Sequence, residues 1–219
     1  MALHIYGPGF SSLVRSVRLY CMEKGVDVSV GMTVDGQPVP MRSPAHLALH
    51  PFGQVPVLLH DGNRVFETVA ICRYLDRAFP DCSLEPEDAA SRTLVDQWAS
   101  ALITTVDTRL IRRYLLQVAG PGNAAPLEGV ALAQAETAVD QTLDALEHQL
   151  GEQDFLCGAR YSLADALLAP MLDYLTRIPG REWLATRHGL AAYLQHMRQR
   201  PSGREVLVAP DFCELRPAG

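Results

Sequence analysis

The sequence predicts an α+β N-terminal half followed by an all-α C-terminal half. Three observations predict it. Up to residue 79, short strand-like runs alternate with amphipathic helical runs; a proline-bearing acidic break follows; beyond that break no strand pattern returns. At 219 residues the chain has room for one large domain or two small ones.

Residues 2–6 alternate weakly and read as a first strand. Residues 11–24 carry Leu13, Val14, Val17, Leu19, Tyr20 and Cys21 at helical spacing, and Gly25 ends that helix. A second strand follows over 27–34. Residues 35–55 hold four prolines and leave room only for a short helix near 44–49. Val57-Leu58-Leu59 is a buried strand, and Pro56, which has no N–H for a ladder, stands at its entrance. Asp61-Gly62 supplies a two-residue turn that closes a hairpin over 57–66. Thr68 is placed to cap a helix over 68–79 with Val69, Ile71, Cys72 and Leu75 on its apolar side. The resulting order, βαβαββα, is that of a thioredoxin-like fold.

Residues 81–87 read as a linker between a domain over 1–80 and a helical-bundle domain over 88–219. Residues 89–118 are helical, and Ala119-Gly120-Pro121-Gly122-Asn123 then forces a loop. Leu132, Ala135, Val139, Leu143, Leu146 and Leu150 form one apolar stripe, that of a bundle helix. Ser162 with Asp165 three residues on is a capping box, with Tyr161 as its hydrophobic staple. Helices over 162–178, kinked at Pro170, 181–199 and 201–207 complete the chain.

Composition excludes several functions. A net charge of −6 argues against nucleic acid or an anionic membrane as partner. No apolar run approaches the ~20 residues of a membrane span, and the N-terminus lacks a signal-peptide pattern. Five cysteines (21, 72, 82, 157 and 213) without a C-x-x-C indicate a reducing cytoplasm and no disulfide framework. Lys24 stands alone against eighteen arginines, which fits a GC-rich coding bias and a bacterial source. His46 and His50 have i,i+4 spacing, but nothing nearby completes a metal-ligand set, so no metal is expected. Gly7-Pro8-Gly9 lacks the Gly-Lys-Ser/Thr of a phosphate loop, and Arg109, Arg112 and Arg113 read as a solvated face.

The run Pro51-Phe52-Gly53-Gln54-Val55-Pro56-Val57-Leu58-Leu59 through Glu67-Thr68, with Ser162-Leu163-Ala164-Asp165 in the helical half, resembles the cytosolic glutathione transferase family over nearly the whole chain. The resemblance implies a cis bond at Pro56 and glutathione as co-substrate. It implies that Val55 pairs its backbone with the cysteinyl part, that Glu67, Thr68 and Gln54 hold the γ-glutamyl end, and that Arg42 meets the glycyl carboxylate. Gly9-Phe10-Ser11-Ser12-Leu13 resembles both the serine-type run of the phi class and the Gly-x-Cys-Ser-Leu run of the beta class. Both comparisons choose Ser11 as the thiol donor, with Ser12 in reserve and Tyr6 one or more residues too early, inside the first strand; read from residues alone, either serine is a helix cap. Phe10, Leu13, Leu110 and Tyr114 are candidate linings of a pocket for a hydrophobic electrophile. Phe52 resembles the aromatic key by which some classes lock a homodimer; the alternative is a loop aromatic covering its own core.

The function implied is glutathione conjugation in detoxification, without nucleic acid or membrane partners. Two alternatives stand beside it: a glutathione-dependent isomerase or peroxidase, and a non-catalytic scaffold of the same fold. Leu13 occupies the cysteine position of the Ser-Ser-Cys isomerase motif, and a scaffold has no need of an intact glutathione site.

Overall fold

The computed structural model describes residues 3–119 and 127–210. The expected loop at 119–123, apart from Ala119, and Cys213 lie outside the described residues. The chain divides into two compact units: Met1–Leu84 together with the residues from Ser202, and Glu85–Pro201.

The first unit is built on a four-stranded sheet of order β2-β1-β5-β6, with β1 Leu3–Tyr6, β2 Val28–Gly31, β5 Val57–His60 and β6 Asn63–Phe66. Strand β1 runs parallel to β2 and antiparallel to β5. The helices α1 Ser12–Glu23, α2 Pro44–Leu49 and α3 Thr68–Ala78 complete the expected order. Helices α1 and α3 lie against each other. They bury Val14, Val17, Tyr20, Ile71, Cys72 and Leu75. Gly25, at φ 67, ends α1 in a Schellman turn: Val26 N–H reaches Cys21 C=O and Gly25 N–H reaches Met22 C=O. Asp61 and Gly62 both have positive φ, as a type I′ hairpin turn requires.

The expected strand over 27–34 is interrupted. After Gly31 the chain turns into a second two-stranded ladder, β3 Thr33–Val34 with β4 Gln37–Pro38. Its turn, Asp35-Gly36, repeats the chemistry of Asp61-Gly62, with φ 50 and 75.

Lys24, the chain's one lysine, is buried. Its Nζ donates to Asp76 Oδ1 at 3.0 Å, Phe79 C=O at 3.2 Å and Cys82 C=O at 2.7 Å. The Tyr20 hydroxyl donates to the other Asp76 oxygen at 2.5 Å. One ammonium thus ties α1 to the end of α3 and to the 3₁₀ turn Pro80–Cys82. The first residues of the expected linker therefore belong to this unit, which Leu84 closes with an N–H bond to Asp76. Helix α9, Pro201–Val206, corrects the expectation of a helical domain running to 219. Residues 202–210 pack with the first unit, where Ser202 bonds Glu23, Arg18 pairs with Glu205, and Arg15 donates to Val208 C=O.

The described residues of the second unit form helices joined by turns, with one isolated bridge, Phe155 to Gly158. Helix α4, Ala89–Ala101, continues without a break into a π-helical stretch, Leu102–Leu115, and a last turn, α5 Leu116–Val118. Helix α6, Gly129–Leu150, buries the expected stripe from Val139 to Leu150. All thirteen residues of α7, Leu163–Leu175, are buried, as suits an all-round apolar helix at a bundle centre. Helix α8 is His188–Gln199, seven residues shorter at its start than the expected 181–199. Gly180, at φ 72, and i→i+3 turns at Ala185 and Arg187 occupy that span.

Asp165 carries the capping box. It is fully buried, and its carboxylate accepts from Ser162 N, Ser162 Oγ, Leu156 N and Tyr193 Oη at 2.8–3.1 Å. Tyr161 packs edge-on against Phe155 beneath the Arg200 guanidinium.

Two stability predictions follow from these buried hubs. Removing the carboxylate in Asp165→Ala strands four donors and should lower the unfolding free energy by about 3–5 kcal/mol, with Asp165→Asn costing less because one acceptor survives. Lys24→Met leaves Asp76 buried without its ammonium and should cost about 3 kcal/mol. Urea midpoints and circular-dichroism melting of the variants read both; an Asp165→Ala protein as stable as wild type refutes the hub assignment.

Candidate functional site

The sheet register sets up the site. Gly31, Tyr6, Val57 and Phe66 lie in one row across the four strands. One residue beyond that row, the chain continues into Gly7 on β1, comes from Pro56 into β5, and leaves β6 as Glu67. Three loops separated by tens of residues therefore meet at the same edge. Gly7 confirms the closeness of two of them. At φ 150 it has no room for a side chain, since a Cβ there would lie 2.6 Å from Val14 Cγ2 and 3.1 Å from Val55 Cβ.

Ser11 is the N-cap residue of α1, with φ −65 and ψ 129, and its side chain makes no capping bond. The hydroxyl sits half-buried at the positive end of a twelve-residue helix. Ser12 is the first residue within the helix, and its carbonyl accepts from Ser16 Oγ. The loop before Ser11 is braced by Arg15, a buried arginine whose Nε donates to Gly9 C=O at 3.2 Å. Tyr6 is fully buried and its hydroxyl is committed to Val39 C=O at 2.8 Å; burial pushes its pKa up.

The Val55-Pro56 bond is cis, and Val55 packs with the cluster of Tyr6, Val39 and Val57. Gln54 is exposed, with its carbonyl bonded to His46 Nε2. The expectation that Thr68 caps α3 is corrected by one residue: Glu67 is the N-cap, without a side-chain cap bond, and Thr68 is the buried first residue of the helix. Glu67 has φ 67 and ψ 118, outside the ordinary left-handed well. Arg42, exposed, also has positive φ, at 61. Among the described residues four non-glycines have positive φ. Two are the aspartates of the Asp-Gly turns; the other two are Arg42 and Glu67, both candidate ligand-binding residues.

No cluster of three or more His, Cys, Asp or Glu suited to a metal ion occurs among the described residues. His46 and His50 are nonetheless buried structural bonds of this region. His50 Nδ1 accepts from Phe52 N–H, its ring packs on Phe66, and burial pushes its pKa down against the pull of Glu67. Phe52 itself is 74% exposed, so it does not cover its own core. The signal for these histidines was weak, since burial of an imidazole on a six-residue helix leaves no pattern to read.

Phe10 and Leu13 flank Ser11 and are half-buried. Leu110 and Tyr114 are not pocket-lining residues as the structure stands. They are 0% and 1% exposed, on the inward side of the π-helical stretch, and the Tyr114 ring meets Trp183 edge-on at 5.2 Å. Arg112 pairs with Asp107 at 2.8 Å, while Arg113 is exposed.

Comparison with known proteins gives the family. Residues 1–77 match the model of the glutathione S-transferase N-terminal domain, and residues 129–196 that of the C-terminal domain. Glutathione S-transferase F10 of Arabidopsis thaliana is 31% identical, with 94% of this chain and 96% of that protein aligned. Glutathione S-transferase F9 of the same plant is 29% identical over 97% and 99% of the two chains. Among solved structures, glutathione transferase F2 of Populus trichocarpa superposes with a TM-score of 0.81 at 26% identity, covering 94% of this chain and 97% of that one. A theta class glutathione S-transferase of Xanthomonas axonopodis pv. citri, with glutathione bound, gives 0.83 at 25% identity, covering 95% and 98%. On these matches, spanning both halves of the fold, the chain belongs to the glutathione S-transferase family of enzymes.

Proposed function

We propose that this protein binds glutathione at the sheet edge formed by Ser11, Val55-Pro56 and Glu67-Thr68, and transfers its thiolate to hydrophobic electrophiles. The observation that carries the reading is the uncommitted Ser11 hydroxyl at the N-terminus of α1, on a loop packed against Val55. Val55 offers backbone groups to the cysteinyl part in the manner of an added strand. Glu67 and Thr68, at the start of α3, and Gln54 receive the γ-glutamyl end, while Arg42 receives the glycyl carboxylate.

The chemistry is activation of a thiol. A free thiol with pKa near 8.5 is only a few per cent thiolate at pH 7. Ser11 donates a hydrogen bond to the bound sulfur, the α1 terminus adds its positive potential, and the thiolate then attacks the electrophilic carbon. Phe10 and Leu13, half-buried beside Ser11, supply apolar surface for the electrophile. The proposed setting is cytoplasmic detoxification by a homodimer, with Phe52 as the aromatic that docks on the second copy.

Two measurements test the reading. The ultraviolet absorbance of the thiolate, followed through a pH titration of the protein–glutathione complex, should show a bound thiol about two pK units below the free value, and Ser11→Ala should restore the free value. An unshifted thiol in wild type, or an unchanged one in Ser11→Ala, overturns the proposed role of Ser11. Phe52→Ser should move the sedimentation coefficient from that of a dimer to that of a monomer at micromolar protein. A wild-type monomer, or a variant that stays dimeric, removes Phe52 as the key.

A further inference from the structure

We infer that His46 is a positioning residue of the glutathione site, an inference that rests on the binding mode proposed above. The imidazole is fully buried, and both ring nitrogens are in use. Nδ1 lies 2.9 Å from the backbone nitrogen of Arg42. A backbone N–H can only donate, so Nδ1 carries no proton and the ring is the neutral Nε2–H tautomer. Its Nε2–H therefore donates to the Gln54 carbonyl, at 3.0 Å. One ring bridges the two segments that hold Arg42 and Gln54.

The consequence lies in the peptide plane between Gln54 and Val55. This bond is trans, the cis bond being the following one, so its C=O and N–H point in opposite directions. By holding the Gln54 carbonyl inward, His46 turns the Val55 N–H outward. Among the described residues no protein acceptor takes that N–H. It is the donor that strand-like pairing with the cysteinyl backbone requires. The bond at Nδ1 acts in the same way on Arg42, pinning the backbone of a residue held at φ 61. The ring itself is kept in place by Tyr6, whose ring centroid lies 4.9 Å away, and by the start of α2, where Ser43 Oγ accepts from the His46 backbone N–H. With both nitrogens turned to backbone, His46 acts on the ligand only through the groups it orients.

The test separates affinity from thiol activation. His46→Phe keeps a ring against Tyr6 and loses both bonds. His46→Gln can restore both, its amide oxygen accepting from Arg42 and its amide nitrogen donating to Gln54. His46→Asn is too short to span them and replaces His46→Phe if that variant does not fold. Calorimetry with reduced glutathione gives Kd, and thiolate absorbance at saturating glutathione gives the bound thiol's pKa. The expected result is a Kd raised about tenfold or more in His46→Phe, an unchanged bound-thiol pKa, and a Kd within about threefold of wild type in His46→Gln. Wild-type affinity in His46→Phe overturns the inference while leaving the glutathione site intact. So does a parallel loss of affinity, thiol activation and melting temperature that His46→Gln fails to rescue. A wild-type protein that does not bind glutathione refutes the underlying binding mode instead.

Discussion

The antiparallel register of β1 on β5 is the constraint on which the first unit depends. Tyr6 faces Val57, and Val57 faces Phe66. A slip of one residue would exchange the faces of Ile5 and Tyr6, both fully buried, and break the packing that each now makes. It would also part Gly7 from Val55, whose contact leaves no room for a Cβ. Burial of Tyr6 and its bond to Val39 C=O thus do more than fill the core. They hold the register that makes three distant loops neighbours.

The same edge concentrates backbone strain. The aspartates at 35 and 61 have positive φ because type I′ turns demand it, and each is followed by a glycine that shares the bend. Arg42 and Glu67 have no such excuse, and conformations of that kind cost about 1–3 kcal/mol each. A sum of that size is a large part of the net stability of an ordinary domain. It persists only where surrounding bonds over-determine it, and the bonds are visible: His46 on Arg42 N–H, and the Val57–Phe66 pairing directly before Glu67. The strain and its restraint occur at the residues proposed to hold the ligand, which is where pre-organisation has value.

Much of this architecture was legible in the sequence, and the limits of legibility have physical causes. Pro56, Asp61-Gly62 and the Ser162–Asp165 box could be read because each does one thing that few other residues can. The β3–β4 ladder carried the same Asp-Gly signal at 35–36, but two-residue strands show no alternation to flank it. In the π-helical stretch Leu102, Val106, Leu110 and Tyr114 recur at a spacing of four and all turn inward. That spacing marks one apolar face, but it does not tell whether Leu110 and Tyr114 line a pocket or pack in the core. The true N-cap, Glu67, makes no side-chain cap bond, so capping chemistry points one position too far, to Thr68. His46 was invisible as a site residue because its partners are backbone groups, four and eight positions away.

Magnitudes decide whether a serine suffices for the proposed chemistry. Lowering a thiol pKa by about two units takes roughly 2.7 kcal/mol of selective thiolate stabilisation. A hydrogen bond to a charged acceptor contributes about 1.5–3 kcal/mol, and a helix N-terminus about 0.3–1 kcal/mol, more in a partly buried setting. Their sum reaches the requirement without a cation or a metal at the sulfur. It does so only if the hydroxyl is not already spent on the helix. A serine that capped α1 would have to give up that bond before serving the thiolate, and the net gain would shrink by about 1 kcal/mol. The absence of a capping bond at Ser11 is therefore the feature on which the proposed activation by a neutral side chain rests.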